Sequence, residues 1–201
     1  MIVYVESNFV LELAFLQEEF EACNSILELS EAGKIDLIVP AYSLLEPYEA
    51  LVRKSRRRNE LSIRLADETR EMSRSRPYSE ITERASEITS TLISSGEQEK
   101  RRLDSTVIRM LDCSEIIPIQ PNTLRRALDA QTEFSLSPQD AIVYTSVIQN
   151  LESASIDPKC FLNKNSKDFL NPDIEEELRR HDCRLITHFS QGLQYLQSAL
   201  S

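Results

Sequence analysis

The stretch Ile2-Val3-Tyr4-Val5-Glu6-Ser7-Asn8-Phe9-Val10-Leu11 runs a strand, an acid and a helix start together. Residues 2–5 are apolar and rich in β-branching, without polar alternation, the pattern of a strand buried on both faces. Asn8 is placed to cap a helix whose apolar face begins at Phe9, Leu13 and Leu16. Helical spacing continues through Phe20, Cys23, Ile26 and Leu27 to a stop signal at Gly33. A buried strand feeding a helix, with an acid at the junction, is the unit of an α/β fold.

The same alternation recurs outward from this segment. Residues 35–39 (IDLIV) predict a second strand ended by Pro40, and Ser43 opens a helix with Leu44, Leu45, Tyr48, Leu51 and Val52 on its apolar face. Later strands are predicted at 116–119, 160–162 and 183–186, with helices at 123–134, 141–151, 174–180 and 189–200. Five short strands separated by helices predict a parallel, doubly wound sheet with helices on both faces. The chain holds only 3 glycines and no glycine-rich loop after any strand, which argues against dinucleotide-binding and P-loop folds.

Residues 53–113 interrupt the pattern, with no strand signal. Helical stretches are expected near 44–74 and 79–94, split by Pro77, and a further helix after Gly96 carries Leu103, Val107, Met110 and Leu111. This predicts a helical hairpin inserted at 53–113 into one domain covering 1–201, a size that a single core can serve.

Composition narrows the classes further. Hydrophobic residues make up 41% and charged residues 28%, ordinary values for a soluble protein. No apolar run reaches the roughly 18–20 residues of a membrane span, and the opening MIVYV reads as a strand rather than a secretory leader. Cys23, Cys113, Cys160 and Cys183 are scattered without a CxxC pair, and His181 and His188 lack thiols at zinc spacing; reduced packing cysteines in a cytoplasmic protein are expected. The net charge of −10 is unevenly carried: residues 53–102 hold 13 basic and 9 acidic side chains, leaving 10 basic and 24 acidic elsewhere. A local basic patch, Arg53-Lys54-Ser55-Arg56-Arg57-Arg58, keeps a nucleic-acid substrate open. Arg53, Arg56, Arg57 and Arg58 are its candidate phosphate contacts, against the plainer alternative of a solvated, ion-paired face.

In an open parallel sheet, sites form at the carboxyl ends of the strands. Glu6 follows the first strand, Glu46 lies one turn into the helix after the second strand, Asp140 one turn into the helix after Ser137-Pro138, and Asn165 and Asp168 follow the strand at 160–162. Carboxylates and amides without His or Cys suit a hard cation such as Mg²⁺ or Mn²⁺, which can polarise a phosphodiester and acidify an attacking water. Each residue also has a local reading. Ser43–Glu46 and Ser137–Asp140 both fit capping boxes, and Asp168 fits a helix start. Glu49 shares the broad face of Glu46 and is its rival. It is the joint placement that favours metal.

These residues resemble the PIN-domain family. Tyr4-Val5-Glu6-Ser7-Asn8-Phe9-Val10-Leu11 is similar to the family's opening strand and acid, with Glu6 where Asp is usual. Val39-Pro40-Ala41-Tyr42-Ser43-Leu44-Leu45-Glu46 resembles its second strand and Glu-bearing helix, and Leu136-Ser137-Pro138-Gln139-Asp140-Ala141 its third motif. Phe161-Leu162-Asn163-Lys164-Asn165-Ser166-Lys167-Asp168-Phe169 resembles its fourth, with neutral Asn165 where an acid often stands. The resemblance covers roughly 1–52 and 115–190. It implies a three-layer α/β/α fold with strand order 3-2-1-4-5 and a metal-dependent endoribonuclease. Glu6, Glu46 and Asp140 would be the metal ligands, Asn165 and Asp168 would complete the catalytic set, and Ser7 and Asn8 would orient metal and water. It further implies an RNA substrate, and an antitoxin-type protein partner, because toxins of toxin–antitoxin pairs belong to the family; a homodimer is a further expectation. Since a fold can outlive its chemistry, an inactive RNA-binding or scaffold protein is the alternative. A receiver-like phosphoacceptor fits less well, because that class pairs two acids after its first strand, where only Glu6 stands here.

Overall fold

The computed structural model describes residues 1–155, 157–165, 169 and 171–200, the side chains at 79, 80 and 83 aside. Strands β1 (Ile2–Val5), β2 (Asp36–Pro40), β3 (Ser114–Ile117), β4 (Lys159–Leu162) and β5 (Cys183–Ile186) form one sheet. Its order is β3-β2-β1-β4-β5, and every pairing is parallel. The fold class and strand order are as expected. Register places Tyr4 beside both Ile38 and Phe161, so β1 is the central strand with neighbours on either side.

The period-2 alternation of the strands divides the core in two. Val3, Val5, Leu37, Val39, Cys160, Leu162 and Ile186 point to one face. There they meet α1 (Ser7–Phe15), α2 (Phe20–Glu31), the bases of α3 (Ala41–Met72) and α4 (Ser79–Cys113), and α8 (Phe189–Leu200). Ile2, Tyr4, Ile38, Ile117, Phe161 and Cys183 point to the other, against α5 (Pro121–Phe134), α6 (Pro138–Leu151) and α7 (Pro172–Arg180). Burial on both faces explains why the central strands β1, β2 and β4 are largely apolar without alternation, while the edge strands β3 and β5 expose Glu115 and Arg184. The four cysteines are all free, and three are fully buried in this packing.

Three local expectations are corrected. The first helix does not run from Asn8 to Gly33. It stops at Phe15, where Leu16 takes a left-handed conformation at φ 51°, and a second helix starts at Phe20. Asn8 is not its cap, because Glu6 takes that place with its own carboxylate. Nor does Gly96 end a helix. α4 runs unbroken through it, and a Cβ there would meet Ser55 Oγ at 3.3 Å, so the glycine permits α3 and α4 to lie close. Residues 41–113 therefore form a two-helix hairpin joined by a short 3₁₀ turn at Arg76–Tyr78. Among the described residues, no helix is long and apolar enough to cross a membrane.

Candidate acidic active site

The carboxyl edge of the sheet is held together by a continuous line of contacts through the candidate residues. Glu6 leaves β1 in an extended conformation, and its Oε2 accepts a hydrogen bond from Asn8 N–H at 2.8 Å, capping α1. Its Oε1 accepts from Lys164 N–H at 3.3 Å, which ties the end of β1 to the turn after its neighbour β4. The side chain is only 5% exposed. Burial pushes its carboxyl up to about 7; the hydrogen bonds from Asn8 and Lys164 pull it down, and the nearby Glu46 charge adds to the rise.

Glu46 accepts a short hydrogen bond from Ser7 Oγ. The alternative capping role is not taken up: α3 starts at Ala41 with Pro40 at its N-cap, so Ser43 is already helical. Ser43 Oγ is buried without a partner, and Pro47 lies within the helix one turn on. Glu49 pairs in the open with Arg53 at 3.8 Å.

At Asp140 the two readings coexist. Ser137 caps α6 by accepting from Asp140 N–H at 3.1 Å, and its hydroxyl donates back to Asp140 Oδ2. The other oxygen, Oδ1, accepts from Asn165 Nδ2 at 3.1 Å. Asn165 adjoins Lys164, so the contacts run from Glu46 through Ser7, Glu6 and the 164–165 turn to Asp140. Asp168 lies outside the described residues.

Four further residues build this edge. Asn163, 1% exposed, accepts from Asn165 N–H at 2.7 Å through its Oδ1, while its Nδ2 is buried without a partner. This Asx turn aims Asn165 at Asp140. Lys164 Nζ reaches Glu12 Oε1 at 2.6 Å, and Glu12 is 1% exposed. This ion pair, buried on the Glu12 side and half-buried at Lys164, fixes the turn above α1. Phe169 N–H returns to Asn165 O at 3.2 Å, and its ring packs edge-on against Phe161 at 5.6 Å, anchoring the turn in the core. Tyr42 stands beside the cleft, where burial first, and then the Glu46, Glu49 and Asp140 charges, raise its phenol. One signal for Glu12 was present in the sequence, since an acid inside the apolar run FVLELAF needs a buried partner. Which residue would serve as that partner is a long-range fact that no local pattern carries.

The donor set consists of carboxylate and amide oxygens, which suits a hard divalent cation. Among the described residues, no three His, Cys, Asp or Glu side chains stand close enough to form a ready-made ion nest. Each acid is held by a neighbour instead: Glu6 by two backbone N–H groups, Glu46 by Ser7, Asp140 by Ser137 and Asn165. The acids thus stand along one edge of the sheet without converging on a common point.

The basic segment is divided by the hairpin. Arg58 grips Glu99 through both Nη atoms, at 2.8 and 3.1 Å, and Lys54 joins at 3.0 Å, so both cations are engaged in holding α3 to α4. Arg56 turns to a second, apolar groove lined by Leu51, Val52, Leu92 and Ile93 and pairs with Glu60. Arg53 and Arg57 line a groove on the outer side of α3. Arg53 and Arg57 therefore line one groove and Arg56 another.

A comparison with curated proteins finds no match. The structure of VapBC2 from Rickettsia felis, bound to a DNA fragment from their promoter, aligns over 92% of this chain and 98% of that one, with a TM-score of 0.45 and 15% identity. A PIN-domain family model matches residues 3–169 and so takes in the motifs at Glu6, Glu46, Asp140 and Asn165. With most of its length under that match and the strand order found above, the chain belongs to the PIN-domain family.

Proposed function

We propose that the chain is a metal-dependent endoribonuclease whose working edge is the line Glu46–Ser7–Glu6–Lys164–Asn165–Asp140. The observation that carries this is the bridging of Asp140 to Asn165 at 3.1 Å and of Glu6 to the adjoining Lys164 N–H at 3.3 Å, which joins the ends of β1 and β4 and the start of α6 into one acidic edge. Family membership supports it, because PIN domains are generally metal-dependent nucleases. Glu6, Glu46 and Asp140 would hold the cation, with Asn165 and Asp168 completing its surroundings. When bound, Mg²⁺ or Mn²⁺ supplies charge at the scissile phosphate and lowers the pKa of the attacking water. Ser7 and Asn8 order the first turn of α1, so that Glu6 and Glu46 keep fixed directions toward the substrate. The Asx turn at Asn163 does the same for Asn165. An antitoxin-type partner and self-association belong to this reading as proposals, drawn from the family.

Cleavage of a labelled single-stranded RNA tests it. Activity should require Mg²⁺ or Mn²⁺ and stop in chelator. Asp140→Asn should lower the rate at least about 100-fold, the equivalent of roughly 2.7 kcal/mol of transition-state stabilisation. Glu46→Gln should cost far more than Glu49→Gln. A fully active Asp140→Asn enzyme, or greater loss from Glu49→Gln, would overturn the assignment. Binding of RNA without cleavage under any divalent ion would favour the alternative of an inactive RNA-binding protein.

A further inference from the structure

The helix that carries Glu46 carries a line of arginines away from it. At about 100° per residue, Arg53, Arg57 and Arg64 all fall within roughly 20° of the Glu46 direction on α3. With a rise of about 1.5 Å per residue they stand roughly 10, 16 and 27 Å beyond it. The three line one shallow groove of about 610 Å³, together with Ala50, Lys54, Arg58 and Leu61. Arg53 pairs loosely with Glu49 at 3.8 Å while its side chain stays 68% exposed. Arg57 and Arg64 are exposed and take no hydrogen bond or ion pair among the described residues. Lys54 and Arg58 at the same groove are already tied to Glu99.

We propose that this face of α3 is a phosphate track, along which the RNA strand leaving the acidic edge lies with its backbone on Arg53, Arg57 and Arg64. The proposal rests on the nuclease reading for its starting point, and adds a direction, a length and a residue, Arg64, that the basic cluster at 53–58 did not include. The guanidinium groups of Arg57 and Arg64 stay open to an anion on a chain of net charge −10, where acidic partners are plentiful. Their alignment with the acidic residue, rather than with the acidic surface, makes a polyanion the fitting occupant. Leu61, 48% exposed between Arg57 and Arg64, offers an apolar rest for a base or ribose. An amphipathic acidic peptide would need a longer apolar seam than Ala50 and Leu61 provide. At about 3.4 Å of advance per phosphate in a stacked strand, the track accommodates roughly 8 nucleotides, and three nucleotides reach only about 10 Å, as far as Arg53.

Binding is measured by fluorescence anisotropy on the full chain carrying Asp140→Asn, with single-stranded RNAs of 6 and 20 nucleotides and no sequence preference, across a salt series. This readout does not depend on cleavage. Arg57→Ala with Arg64→Ala should weaken the 20-mer about 10-fold and flatten the salt slope by roughly 1.4, the release expected for two single-strand phosphate contacts. Arg64→Ala alone should weaken the 20-mer and leave the 6-mer unchanged. Arg101→Ala, an equal charge change on the exposed side of α4, should leave both unchanged. Circular dichroism confirms folding in each case. Equal losses from Arg101→Ala and Arg64→Ala would overturn the track in favour of diffuse charge attraction, as would an unaltered 20-mer affinity in the double variant. Cleavage that fails while the Arg64 length dependence holds would reject the nuclease reading and keep the track; intact cleavage with no arginine effect would do the reverse.

Discussion

Burial of the Glu6 carboxyl between the ends of β1 and β4 makes its ionisation costly, and that cost is measurable. Its value lies near 7 in the folded chain against an ordinary 4.5. Below the lower value both folded and unfolded chains hold the proton, and no penalty arises. Between the two values the unfolded chain releases a proton that the folded chain keeps, so stability falls as pH rises, by up to roughly 3 kcal/mol. Above about 7 the penalty is constant. Urea unfolding in chelator should show wild type losing stability from pH 5 to pH 8 relative to Glu6→Gln. Adding Mn²⁺ at pH 8 should then stabilise wild type more than the variant, because an ion that binds only the folded chain adds stability by mass action. A wild-type profile parallel to that of Glu6→Gln would show that Glu6 is already ionised at low pH. Glu6 itself was legible in the sequence, as an acid directly behind a buried strand. Its capping of α1 was not, because Asn8 is the better intrinsic cap and only the fold brings Lys164 to hold the carboxylate in place.

At the scale of elements, the two long helices α3 and α4 stay together through a buried acid. Glu99 is 7% exposed and takes hydrogen bonds from Lys54 and Arg58, and Arg58 also donates to Ser95 Oγ at 2.9 Å. Burial tends to raise its carboxyl, but the hydrogen bonds from Arg58 and Lys54 outweigh this and hold it below its ordinary value. Glu99→Ala should therefore cost about 2 kcal/mol, less than a fully buried pair because both cations can turn to water. Hydrogen exchange should show the loss in α3 and α4 while β1, β2 and β4 keep their protection. Uniform loss across the sheet would mean that hairpin and core unfold as one unit. The hairpin itself was readable from 53–113, since strand signals vanish there. The continuity of α4 was not, because glycine ordinarily marks a helix end, and its role here depends on Ser55 across the pair. The break at Leu16 was missed for a similar reason: apolar spacing continued across it, and only tertiary packing set the turn.

Across the whole molecule, acids gather at the carboxyl edge of the sheet and a basic segment, residues 53–64 of α3, follows them, on a chain whose net charge is −10. The alternation of strands and helices was enough to read the sheet class, and the acids behind the strands were enough to nominate the edge. What local patterns could not supply were the cross-chain contacts: Ser7 with Glu46, Asn165 with Asp140, and Lys164 with Glu12, separated by 39, 25 and 152 residues. These contacts bring the acids to one edge of the sheet, each held by its own neighbour. The central claim is that the ion's place is among Glu6, Glu46 and Asp140. An anomalous-scattering map from crystals soaked in Mn²⁺ tests it most directly. The account predicts a peak within coordination distance of oxygens from at least two of these three side chains, absent from Asp140→Asn crystals soaked in the same way; a peak confined to other surface acids, or none at this edge under saturating Mn²⁺, would contradict it.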